Sequence, residues 1–163
     1  MSENLREGVD AALGEALRDL AAVTPDSRDE LRPVFAELQV FPGIGSTAVD
    51  VTLSLAGRAA VARVDGPDDE RAVARSAAEA VLDALEQFLG DIVQLELAWF
   101  KVLEPDGHFG HTVVHTAVGC HGPRGRDLYV GSALSRGDLS VAAVRSALDA
   151  MNRPFARFLS SES

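Results

Sequence analysis

The chain has 163 residues, 47% of them hydrophobic, and a formal net charge of -10 with a pI of about 4.7. That hydrophobic share supports a packed core and excludes a disordered chain, and the length suits one domain with an appendage. The acidic balance excludes a nucleic-acid binder, which needs clustered Lys and Arg, and argues against anionic membrane surfaces.

From the N-terminus, Leu5, Val9, Leu13, Leu17 and Leu20 form one apolar stripe, which predicts an amphipathic helix over Glu3 to Val23. Thr24-Pro25-Asp26 breaks it. Ser27 with Glu30 has the spacing of a capping box and predicts a second, short helix limited by Pro33. The period then changes. Leu38 to Phe41 reads as a short strand, Pro42-Gly43-Ile44-Gly45 as a turn, and Val49, Val51, Leu53 and Leu55 alternate with polar residues as a half-buried strand does. Ala56-Gly57 turns the chain and Arg58 to Val64 returns. A long helix follows Asp65-Gly66-Pro67, with Asp68, Asp69 and Glu70 in its first turn, where the helix dipole favours negative charge. Val73, Ala77, Val81, Leu85 and Phe88 are its expected buried face, and Gly90 its stop.

The order then repeats. Ile92 to Leu103 reads as a strand whose Trp99 belongs in the core, Pro105-Asp106-Gly107 as a hairpin turn, and Phe109 to Gly119 as the next strand. Gly122 to Gly125 reads as a turn and Asp127 to Leu134 as a third strand. Asp138 caps a helix with Val141, Val144, Leu148 and Met151 inside, and Pro154 ends or kinks it. The expected class is α+β: two pseudo-symmetric βββα units packed together, preceded by one or two helices. The expected segments are a helical 1–36, a βββα-βββα domain over 37–158 and a disordered tail, 159–163.

The stretch GHFGHTVVHTAVGCHG (Gly107 to Gly122) holds all four histidines, His108, His111, His115 and His121, and the single Cys120. On one straight strand His111 and His115 share a face but stand about 13 Å apart, too far to ligate one ion. His121 falls in the following loop. A zinc site needs three or four ligands within about 2.3 Å of the ion, so no metal and no cofactor are expected. A lone Cys cannot form an internal disulfide, which fits a reducing compartment. No window has the roughly 18 apolar residues of a membrane span, and MSENLREGVD lacks the basic and apolar regions of a signal peptide, so a cytoplasmic protein is expected. Walker A, G-x-G-x-x-G, G-x-S-x-G and HExxH patterns are missing from the sequence.

From Leu38 to Arg153 the chain resembles the C-terminal regulatory, or allosteric and dimerisation, domain of 2-isopropylmalate synthase. The resemblance is carried by LQVFPGIGSTAVDVTL, VDGPDDERAVARSAAEAVLDAL, LELAWFKV and RGDLSVAAVRSALDAMNR. The TIM barrel of that enzyme, which takes about 200 residues or more, has no counterpart here. The turn before the last helix, Ala133-Leu134-Ser135-Arg136-Gly137-Asp138, departs from the family's glycine pattern, so leucine binding does not follow. The resemblance implies a non-catalytic homodimer binding a small carboxylate effector, or acting on a partner enzyme. Helix starts suit a carboxylate, and the expected ligand-binding residues are Gly66, Asp68, Gly137, Asp138 and His115. The alternatives are a small enzyme with His111 or His115 as acid/base and a structural protein-interaction module.

Overall fold

The computed structural model describes residues 31–105 and 110–160. The expected helix over Glu3 to Val23, the Ser27–Glu30 capping box, Asp106-Gly107 and His108 all lie outside the described residues.

Strand β1 (Val34–Pro42), β2 (Thr47–Leu55) and β3 (Arg58–Gly66) form one antiparallel sheet in that order. The helix α1 (Glu70–Leu89) follows, closed by a 3-10 turn at Gly90–Ile92. Strands β4 (Gln94–Leu103), β5 (Val113–Gly122) and β6 (Gly125–Leu134) form a second antiparallel sheet, and α2 (Leu139–Ser160) ends the described chain. The fold is therefore α+β, with the strand-strand-strand-helix order present twice.

Local chemistry explains most of these elements. In β2 every second residue, from Thr47 through Val49, Val51 and Leu53 to Leu55, is buried, so the sequence alternation becomes an inner and an outer face. Ala56 (φ 48°) and Gly57 (φ 77°) form the tight β2–β3 hairpin, which requires the left-handed region at both positions. Asp69 caps α1 by accepting from Ala72 N at 3.0 Å, and Gly90 (φ 64°) stops it. Asp138 caps α2 by accepting from Val141 N at 3.1 Å. Pro123-Arg124 is the two-residue turn between β5 and β6.

The helices join the two halves. α1 packs on β2, β3 and β4, α2 packs on β5 and β6, and the helices pack on each other. Both helices bury many small residues: Ala74, Ala77, Ala78, Ala80 and Ala84 on α1, and Ala142, Ala143, Ala147 and Ala150 on α2. One cluster of buried side chains runs from Val49 and Leu53 on β2 through Val81 and Leu85 on α1 to Val114, Val118, Val144 and Phe155. Each fully buried Val, Leu or Phe contributes about 1.5–3 kcal/mol relative to exposure.

Several expectations are corrected. β1 begins at Val34, so the boundary expected at residue 37 falls within a strand. α1 begins at Glu70 rather than at Pro67, because the Asp69 side chain takes the capping position. β5 begins at Val113 and continues through His121, which places His111 before the strand and His121 inside it. Pro154 neither ends α2 nor stops its burial: the helix continues to Ser160, because Pro154 and the fully buried Phe155 belong to the core and proline's fixed φ is itself helical. Trp99 is not core; it stands on the edge strand β4 on the face away from the helices and is 39% exposed.

Close approach fixes two glycines. A Cβ at Gly131 would overlap Ser146 O and Ala150 N of α2, and one at Gly66 would overlap Ser76 Oγ of α1. Gly131→Ala is therefore expected to destabilise the fold by about 1–3 kcal/mol, read as a lowered denaturation midpoint, because the clash is with helix backbone. Ala56→Asn is expected to raise stability by up to about 1 kcal/mol in the same assay, since Asn accepts the left-handed conformation at lower cost.

Candidate functional site

Arg71, in the first turn of α1, donates from Nη2 to Glu104 Oε1 at 2.7 Å, and Glu104 directly follows β4. At that end of the sheet Leu103 pairs with Val113, and Val113 with Leu134. Ser135 N then donates to Thr112 O at 2.8 Å, just before α2 starts. The starts of both helices therefore sit at one end of the fold. Their last turns share the other end, where Phe88, Leu89, Phe158 and Leu159 line a small apolar cleft with Ile92 and Val93.

The predicted site residues distribute unevenly over this frame. Asp68 precedes the α1 cap and is exposed. Gly137 (φ 105°) and Asp138 form the turn into α2, at the same end of the fold. Gly66 closes β3 near the α1 start, and the absence of its side chain makes room for Ser76. His111 is exposed and adjoins Thr112, so it also belongs to this end. His115 does not. It is half-buried in β5, paired with Lys101 and Ser132, on the face turned away from the helices.

His121 lies toward the opposite end, between Gln94 and Arg126 in the sheet. Its Nε2 is 3.2 Å from Glu96 Oε2, and Arg126 Nη2 donates to the same carboxylate oxygen at 3.3 Å. These side chains are solvent-facing, and exposed ion pairs of this kind contribute little stability. No cluster of three His, Cys, Asp or Glu side chains suited to a metal ion occurs among the described residues.

The inward face of β5 carries the buried polar groups. Ser146 Oγ donates to Gly131 O at 3.1 Å, so Thr116 Oγ1 supplies the proton of its 3.0 Å bond to Ser146 Oγ. Cys120 Sγ lies 3.9 Å from the Met151 sulfur, and burial pushes its thiol up to about 11, with Asp127 adding to the rise. Such a thiol is inert, because the thiolate is the reactive species.

The other perturbed groups also lie away from the helix starts. The Arg63 guanidinium holds the Asp50 carboxyl below its ordinary value, with contacts of 2.5 and 2.8 Å on the outer face of the first sheet. This pair contributes stability above the usual carboxylate range and loses it as the pH falls through the lowered value. Burial pushes Asp83 on α1 upward, reinforced by Glu86 and Glu79. Sequence reasoning missed the Arg71–Glu104 link, since the two residues are far apart in sequence and neither lies in a motif.

No protein-family model matches the chain, and no curated protein matches it in sequence.

The environment of Cys120 gives a direct test. In the native protein at pH 8 the thiol is expected to resist alkylation and disulfide reagents for hours, and to react within minutes once denatured. Rapid stoichiometric labelling of folded protein would contradict its placement.

Proposed function

We propose that the chain is a non-catalytic regulatory module that acts as a homodimer and binds a small carboxylate effector at the end where both helices start. The observation that carries the reading is the Arg71–Glu104 bond together with the Ser135–Thr112 bond, which gather Asp68, Gly137 and Asp138 at one end. A helix start presents backbone N–H groups and the positive end of the dipole, both suited to a carboxylate. Asp69 and Asp138 each satisfy one donor of their own helix, and the remaining first-turn N–H groups are what a ligand uses. Asp68 is placed to take an ammonium group, which favours an amino acid over a simple organic acid. The duplicated strand-strand-strand-helix order supports the resemblance to the 2-isopropylmalate synthase regulatory domain, and the pseudo-symmetry of the two units is part of this proposal. His115, on the far face of β5, serves the dimer rather than the effector in this reading.

The test is calorimetric titration and thermal shift with small aliphatic amino acids and their 2-oxo analogues. At least one amino acid is expected to raise the melting temperature, and Asp68→Ala is expected to weaken it about tenfold while changing stability by less than about 0.5 kcal/mol. A panel without any shift at millimolar ligand would refute the effector site.

A further inference from the structure

The outer faces of the two sheets differ at their centres. On the first sheet the outward positions include the polar and charged Glu37, Gln39, Asp50, Thr52, Arg63 and Asp65, the exposed Val34 and Val61 lie apart on the two edge strands, and the Arg63 guanidinium covers the Phe41 ring at 4.9 Å. On the second sheet the middle of the outer face carries an apolar patch, bordered by Lys101, His115 and Ser132 on one side and by Gln94, His121 and Arg126 on the other. Trp99 is 39% exposed, Val130 57% and Leu128 59%, and they flank the small Ala117 and Gly119 of the central strand, while Leu103 (41%) and Leu134 (48%) flank Val113 at one end of the sheet. The inward residues Thr116 and Cys120 reach Ser146 and Met151 on α2, so this apolar face is the one the helices leave uncovered. An exposed apolar patch rimmed by polar residues in this way marks an interaction surface.

We infer that the outer face of the second sheet is where a second copy of this chain docks, face to face, about a two-fold axis crossing the strands at the Trp99–Ala117–Val130 row. The inference deepens the homodimer reading above and rests on it.

Charge complementarity selects the second copy. The row on one side of the axis is Lys101–His115–Ser132, and the row on the other side is Glu96–Gly119–Leu128. A two-fold rotation about that line lays β4 over β4 with its direction reversed, and each Lys101 comes to face the partner's Glu96. The arrangement is isologous, so the pair forms twice. Two sheets stacked in this manner sit about 10 Å apart, a distance that these side chains span. Three strands of 10 residues present about 15 by 33 Å, or about 500 Å² a side and about 1,000 Å² in all, the lower bound of a specific interface.

The sequence supplies two internal probes, since Trp99 is its single tryptophan and Lys101 its single lysine. Sedimentation of the full chain is expected to show a dimer whose dissociation on dilution shifts the Trp99 emission to the red. Zero-length carbodiimide coupling of a mixture of isotopically light and heavy protein is expected to yield a mixed-isotope Lys101–Glu96 cross-link. Within one chain those two residues are two rows apart, about 13 Å, beyond such coupling. Val130→Arg is expected to weaken the dimer at least about 100-fold with unchanged circular dichroism. Lys101→Glu is expected to weaken it about tenfold, and the exchange Lys101→Glu with Glu96→Lys to restore it to within about threefold.

A monomer at 100 µM, with Trp99 emission independent of concentration, would overturn both this inference and the homodimer reading; that is also the result expected if the chain's own residues 1–30 cover the face. A dimer that survives Val130→Arg and gives no mixed-isotope Lys101–Glu96 product would overturn this surface alone.

Discussion

The structure depends on how closely α1 and α2 approach each other and their sheets. Large side chains at the helix contacts would hold the elements apart. The two helices pack on each other and bury alanines, among them Ala74, Ala77, Ala78, Ala142, Ala143 and Ala147, and glycines at Gly66 and Gly131 allow a helix to settle on a strand. The large apolar groups then fill the space around this seam, from Leu53 on β2 to Phe155 on α2. Dispersion falls steeply with separation, so a close-packed seam of small residues is worth more than its surface area suggests.

That seam also sets the geography of the candidate sites. Because both helices start at one end, their free N–H groups and the Asp69 and Asp138 caps share that end. Because the helices occupy the inner face of the second sheet, Thr116, Ser146 and Cys120 are sealed among them and are unsuited to chemistry. The hydroxyl pair is fully satisfied, and no buried side-chain polar atom among the described residues lacks a partner. Among those residues, no helix is long and apolar enough to cross a membrane. What remains for recognition is the helix-start end and the outward sheet faces.

The histidine-rich stretch shows how a strand divides its residues. Thr116 and Cys120 point inward, while His115 and His121 point outward on the same strand. Read along the chain, these residues look like one cluster. In space His111 precedes the strand, His115 is central on the outer face and His121 is held by Glu96 near the far end. Neighbours in sequence, they stand apart in space.

Local physics made much of the fold legible in the sequence alone. The period of two in β2 and of 3.6 in α1, the capping aspartates Asp69 and Asp138, and the glycine stop at Gly90 are each decided within a few residues, so the repeated strand-strand-strand-helix order follows from them. Which end of the molecule gathers Arg71, Glu104 and Asp138 was decided only by tertiary structure, because strand pairing joins residues that no local pattern relates. The same holds for Trp99, whose aromatic side chain suggests the core. A bulge between Leu97 and Trp99 and its place on an edge strand put it outside. Hydrophobicity determines that a residue leaves water on some surface; only the packing of the whole chain decides whether that surface belongs to its own core or to a partner.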